Sequence, residues 1–429
     1  MTTNQHSFNT GDTVLQPSSL KGYRWPSSNP TETHQRVRKQ TVEDVHLVRQ
    51  CAATPEINWK AFHKETRDLT TAGKVHHLLT HRKFQFNTVG LVRQEPRWQE
   101  NITKAVTDGQ PILVTYPLMC KVGNWAKQMT NIGPHAGEDC TLFFFAHLNS
   151  LVGQIYEPGL RFKILADARL YNSAFKISEV EVSRYLSALR KQVKAFGIDH
   201  IIEIVDYADV LEAHACDDYL ERYFDYQNRM VAGDESVLSG INVPSLLDSV
   251  EASINTRPLG MSYGEHLSIF SSQGVRSGDS SPLAKEVSQM ATTAFREVVA
   301  IRKACGDVDI CNRAWPDAVR VTCHKGAKNG TWHPGLRVYP EYYGSSKLLP
   351  YHGVALVRTD RQGRPKLEIH PEVLLRGCSD FVRVTQAGGC VEEVYFYDAI
   401  HLPPDHSFDF LHDGSPVQAQ DPVVQNTAA

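Results

Sequence analysis

Three short strand-like segments constrain the fold most: Pro111-Ile-Leu-Val-Thr-Tyr116, residues 160–165 and Ile201-Ile-Glu-Ile-Val205. The stretches between them carry helical periodicity. One helix starts near Gly137, presents Leu142, Phe145, Ala146, Leu148, Val152 and Ile155, and stops before Glu157-Pro158-Gly159. Proline cannot continue a helix, and glycine permits the turn that follows. Ser178 and Glu181 have capping-box spacing for a second helix through Phe196, and residues 207–230 read as a third. Strand, helix, strand, helix, strand at these lengths implies right-handed crossovers. The expected fold class is therefore α/β, with a mostly parallel, Rossmann-like sheet flanked by helices.

The flanking segments read differently. Residues 1–38 are rich in Ser, Thr, Asn, Gln and Pro without periodicity, as expected of a flexible arm. Residues 39–104 form a helical N-terminal segment, with Thr41 as a cap and a further helical run from Trp59 to Leu79. The α/β catalytic region spans 105–403 and contains a Ser/Gly-rich insertion near 232–282 that reads as a connecting segment. A helix returns at 283–304. Periodicity then switches to two at 318–324, 336–339, 353–358, 366–370, 381–385 and 391–397, and Gly363 stands where a hairpin turn needs it. This part is strand-rich and partly antiparallel. Residues 404–429 read as a loose tail.

Composition removes several function classes. A net charge of −3 and the lack of a dense basic patch argue against nucleic acid or an anionic membrane as partner. The nine cysteines show no Cys-x-x-Cys and no pairing rhythm, which fits a reducing compartment. The first residues lack the apolar core of a signal peptide, and no apolar stretch is long enough to span a bilayer. The expectation is a soluble cytoplasmic protein. Gly-x-Gly-x-x-Gly, P-loop and Gly-x-Ser-x-Gly motifs are absent. His77 and His81 stand four apart on an expected helix, but no carboxylate completes a zincin pattern, so no metal site is expected.

Several segments could carry chemistry. In Ala318-Val-Arg-Val-Thr-Cys-His324, a strand would put Arg320, Thr322 and His324 on one face. Arginine and histidine two steps apart can hold an anion beside a proton-transfer group, or simply face solvent. His352 precedes an apolar strand, and Asp167 follows one, at the edge where open sheets bind ligands. Asp167 can equally serve as a helix or turn cap. The loop from Tyr116 to Glu138 holds Lys121, Lys127, His135 and Glu138 and leads into a helix N-terminus suited to an anion.

Taken in order, these pieces resemble the pyoverdine/dityrosine biosynthesis family, which includes the isocyanide (isonitrile) synthases. That family has a lysine-bearing loop leading to Pro-Asp-x-x-Glu, then Tyr-x-Pro-Gly, a strand ending in Ser-Asp-Gly, a strand with Arg and His two residues either side of a serine-like position, and Pro-Trp-His. The matching stretches are 121–138, Tyr156-Glu-Pro-Gly159, Leu165-Ala-Asp-Ala168, Trp315-Pro-Asp-Ala-Val-Arg-Val-Thr-Cys-His324 and Pro350-Tyr-His352, within residues 105–360. The chain departs at His135 for aspartate, Ala168 for glycine and Tyr351 for tryptophan.

The resemblance implies a metal-independent, lyase-type isonitrile synthase of secondary metabolism with no cofactor. It would convert the α-amino group of an amino acid, often Tyr or Trp, using ribulose 5-phosphate as co-substrate and one-carbon donor. Lys121, Glu138, Asp167, His324 and His352 are the implied catalytic residues, and Lys121, Lys127, His135, Arg320 and Tyr351 the implied substrate-binding ones. Three alternatives stay open: an enzyme of the same family that forms an N-formyl amino acid, a catalytically silent ligand-binding relative, and an iron-dependent oxygenase. The oligomeric state is open.

Overall fold

The computed structural model describes residues 34–53, 55–118, 133–251, 253–255, 270–271, 274–275, 281–322, 335–340, 349–350, 353–359, 364–370, 381–385, 395–398 and 409–412. Its N-terminal part runs β1 (His34–Lys39), α1 (Val42–Ala52), α2 (Trp59–Glu65), α3 (Thr71–Leu79), β2 (Gln85–Asn87) and α4 (Thr88–Thr107). The helical run expected over Trp59 to Leu79 is two helices. The Thr70 hydroxyl accepts the Gly73 N–H at 3.1 Å and starts the second.

Next come β3 (Ile112–Leu118), α5 (Ala136–Gly153), β4 (Leu160–Ala166), α6 (Ala168–Phe175), α7 (Glu179–Ala195), β5 (Ile202–Asp206) and α8 (Tyr207–Val231). β3 pairs parallel with β4, and β4 with β5, as the alternation requires. The expected Ser178–Glu181 capping box opens α7. The chain continues through α9 (Val243–Glu251), β6 (Phe270–Ser271), β7 (Gly274–Val275), α10 (Pro282–Val308) and α11 (Ile310–Ala314) to β8 (Val319–Arg320). β8 joins the free side of β3, giving a four-stranded parallel sheet in the order β5-β4-β3-β8. The strand expected at 318–324 is β8 plus an isolated bridge from Thr322 to Gly335. Two side chains of α4 hold β8: Trp98 Nε1 donates to the Arg320 carbonyl (3.2 Å) and Asn101 Nδ2 to that of Ala318 (2.9 Å).

In-register residues of a parallel sheet share a face, and successive residues alternate. Val114, Tyr116, Phe162, Ile164, Ile202 and Ile204 are therefore one buried face. Phe145 of α5 stacks on Phe162 there, with ring centroids 4.7 Å apart. On the opposite face, Leu165 packs with Tyr207, Val210 and Leu211 of α8, Ala304 and Val308 of α10, and Ile310 and Cys311 of α11. Helices thus cover both faces.

Residues 232–282 do more than connect. Leu246, Val250 and Ile254 recur at helical spacing and are buried together with Val237, and α9 packs on α10. The Ser and Gly around them concealed that short apolar stripe.

The C-terminal part holds β9 (Gly335–Leu336), which pairs with β2, then β10 (Val354–Thr359), β11 (Pro365–His370), β12 (Phe381–Thr385), β13 (Tyr395–Asp398) and β14 (Asp409–His412). Five of these strands and β1 form a mixed six-stranded sheet in the order β11-β10-β13-β12-β1-β14. Two expectations are corrected here. His34–Lys39, whose first five residues were expected within the flexible arm, is a strand parallel to β12, and Asp409–His412, expected within the loose tail, pairs antiparallel with β1. Both segments are too polar to show an apolar pattern, and pairing through backbone N–H and C=O groups does not require one. Gly363 lies outside the described residues. Among the described residues, no helix is long and apolar enough to cross a membrane.

Candidate active site

Two groups of polar side chains meet the carboxyl ends of the parallel strands. The first is at the N-terminus of α5, where His135 is the N-cap. Its Nδ1 accepts the Gly137 N–H (2.9 Å), and its Nε2–H donates to the Gly353 carbonyl (2.5 Å) at the start of β10. Those partners define the neutral Nε2–H tautomer. The buried Glu138 closes the capping box: Oε2 accepts the His135 backbone N–H (3.0 Å) and Oε1 accepts the Tyr185 hydroxyl of α7 (3.1 Å).

Glu138 Oε2 also lies 3.0 Å from His135 Nδ1. The Tyr185→Phe variant removes one donor from a buried carboxylate. It is expected to lower unfolding free energy by about 1–3 kcal/mol in a urea titration.

The second group lies at the ends of β4, β5 and β8. Asp167 follows β4 directly and stands at the N-cap position of α6, where its side chain makes no cap hydrogen bond. The residue is half-buried, but Oδ1 is sealed from solvent without a hydrogen-bond partner. Desolvation pushes the carboxyl up to about 7, opposed by its own backbone N–H and by the nearby Arg302 of α10. Tyr171 of α6 and Cys305 of α10 lie within electrostatic reach of Asp167, and Tyr207 at the start of α8 lies beside Cys305. Burial raises both phenols well above the usual range and pushes the Cys305 thiol up to about 12. All three are protonated near neutrality. Cys305 is therefore no thiolate nucleophile.

Arg320 borders this group, close enough to act electrostatically on Tyr207 and Cys305. Its Nη1 is already bound to Asp309 Oδ1 at 2.5 Å, while Nε is buried without a partner. Asp309 sits in the left-handed region (φ 48°, ψ 52°) between α10 and α11, a turn that aims its carboxylate at β8. Register places Arg320, Thr115, Lys163 and Glu203 in one row across that sheet face, and Lys163 pairs with Glu203 at 2.7 Å.

The structure brings Asp167 and Arg320 into one neighbourhood and Glu138 and His135 into another. No described contact joins the two. His135, expected at the substrate, has both ring nitrogens engaged inside the protein. Lys121, Lys127, His324, Tyr351 and His352 lie outside the described residues. His77 ends up 3.5 Å from Glu65, and His81 lies beyond the end of α3, so the two do not share a helix. Tyr171, Tyr207, Arg302 and Cys305 were not singled out from sequence. Tyr207 had a usable signal, since it follows β5 as Asp167 follows β4.

An open parallel sheet with an unsatisfied acid and a guanidinium group at its carboxyl edge defines an α/β protein whose candidate site is that edge. The chain belongs to the pyoverdine/dityrosine biosynthesis protein family, whose model matches residues 102–365, more than half of its length. It is similar to isocyanide synthase A of Aspergillus fumigatus, at 23% identity over 109 residues. That match covers 25% of this chain and 18% of the relative. It also resembles the crystal structure of the PvcA protein from Pseudomonas aeruginosa, with a TM-score of 0.54 and 19% identity. The likeness covers 76% of this chain and 99% of that one, and it concerns the fold.

Proposed function

We propose that this protein is an isocyanide synthase that converts the α-amino group of an amino acid to an isonitrile, with ribulose 5-phosphate as the one-carbon donor. The observation that carries the reading is the family match over 102–365, which contains both polar groups of the sheet edge. In this scheme the amine condenses with the sugar ketone, losing water. Proton removals, phosphate loss and carbon–carbon cleavages then leave N≡C on the α-carbon.

Such chemistry needs groups that exchange protons near neutrality. Asp167, held near 7 by desolvation, meets that demand. Lys121, Lys127, His324 and His352 are proposed to supply the remaining charge and proton transfers, and Tyr351 a wall of the substrate site. The proposed reaction draws on no metal or redox cofactor.

The test is a panel of amino acids incubated with ribulose 5-phosphate carrying a 13C label at the ketone carbon, read by mass spectrometry. A labelled isonitrile is the expected product. Exclusive release of a labelled N-formyl amino acid would replace this reading with the formyl-forming one. Absence of any labelled product across the panel would remove both.

A further inference from the structure

β11 carries Lys366, Glu368 and His370 at alternate positions, so the three side chains share one face of the six-stranded sheet. The intervening Leu367 and Ile369 join the apolar core on the other face. His370 Nε2 lies 3.1 Å from Glu368 Oε2, and Lys366 Nζ lies 3.6 Å from Glu368 Oε1. Glu368 and His370 are each 2% exposed. Val354 and Leu356 of β10, the register partners of His370 and Glu368, are buried beside them.

These contacts fix the state of the ring. A carboxylate next to an ammonium group accepts, so Nε2 carries the hydrogen and Nδ1 the lone pair. Nδ1 is sealed from solvent and has no hydrogen-bond partner. Bracing the strand accounts for the Nε2 bond and leaves Nδ1 unexplained. A side chain that merely filled the space beside Val354 and Leu356 would be apolar. An imidazole oriented by a carboxylate at one nitrogen and open at the other is an acceptor set up for an incoming donor.

We propose that His370, oriented by Glu368 and Lys366, is the acceptor of a ligand site that takes a hydroxyl group. Charge selects a hydroxyl over an ammonium donor. Arg383 of β12 is buried on the same face, three strands along the row that runs through Leu356 and Phe396. An ammonium would add a further cation to a poorly solvated face that already carries Lys366 and Arg383 against Glu368. A hydroxyl adds no charge. The site goes beyond the isocyanide synthase reading, since its three residues follow the last position of the family-matched region. It adjoins the start of β10, where Gly353 abuts the His370 carbonyl and accepts the His135 Nε2–H from the N-terminus of α5. A phenol and a sugar alcohol are the two sources of such a hydroxyl among the reactants proposed above.

The experiment uses the full-length 15N-labelled chain and two probe pairs, tyrosine against phenylalanine and ribulose 5-phosphate against inorganic phosphate. Long-range nitrogen–proton spectra of the wild type are expected to show the Nε2–H form of His370. In calorimetric titrations, His370→Gln can still donate to Glu368 but has no acceptor at the Nδ1 position. It is expected to weaken the hydroxylated member of one pair by about tenfold or more and to leave its counterpart unchanged. The pair that responds identifies the source of the hydroxyl. His370→Asn, which places an amide oxygen near the Nδ1 position, should restore part of the loss, and thermal melts establish that each variant is folded.

An Nδ1–H form of His370 would overturn the proposal, and that readout needs no variant. Folded His370→Gln that binds all four probes as the wild type does would overturn it too, as would a wild type that binds none of them at millimolar concentration. Labelled product is followed in parallel. Hydroxyl-selective binding without any isonitrile sinks the proposed function and leaves this site standing. Isonitrile formation by His370→Gln with unchanged KM for both reactants does the reverse.

Discussion

Asp167→Asn is expected to make the protein more stable at pH 8 while lowering turnover by about a hundredfold or more. The folded state holds this carboxyl at about 7, against an ordinary value of 3.8. Below pH 4 the acid is protonated whether the chain is folded or not, and it costs nothing. As pH rises from about 4 to 7, the unfolded chain releases the proton and the folded chain keeps it, so stability falls through that window. A shift of this size corresponds to at most about 4 kcal/mol, and the partial exposure of the residue reduces that to roughly 2–4 kcal/mol. Asparagine removes the titration, so its advantage appears above pH 7 and vanishes near pH 4. Urea titrations of both proteins at the two pH values measure it. Equal stability differences at pH 4 and pH 8 would contradict the assignment of a raised carboxyl at this position.

The second large effect is expected at Gly353. An alanine Cβ there would lie 2.5 Å from the His370 carbonyl oxygen and 3.0 Å from Ile369 Cγ2, contacts that backbone of a paired strand cannot relieve by rotation. The carbonyl of Gly353 also receives the His135 Nε2–H that ties β10 to the start of α5. Gly353→Ala therefore combines overpacking with the loss of a buried hydrogen bond, at about 2–5 kcal/mol together. Lower expression of soluble protein and a markedly lower melting temperature are the expected readouts. The displaced α5 N-terminus would carry Glu138 with it, so residual folded protein should also lose activity. A variant that melts with the wild type would show that the strand start can yield.

The central sheet was legible because each of its main strands is a dense apolar run closed by Pro, Gly or a helix cap. β3, β4 and β5 bury one face completely and most of the other, which leaves little choice of conformation. β1 and β14 were not legible, since their only signal is the backbone they offer to β12 and to each other. The same division runs through the site. Asp167 could be found from the rule that places ligands at strand ends, although it also stands at the N-cap position of α6. Arg302 and Cys305 lie on a long amphipathic helix and look there like ordinary polar-face residues. His135 could be seen as a departure from the family pattern, but not as a link to Gly353, which is 218 positions away.

The seating of β1 between β12 and β14 bears on how the protein can be handled. A fragment trimmed to the family-matched region would keep β10 but discard β1, β12, β13 and β14 and most of β11. β10 would then present raw hydrogen-bonding edges to bulk water and to other molecules, the situation that favours precipitation. Useful truncations should therefore preserve His34–Lys39 together with β12 and Asp409–His412, the two strands it pairs with.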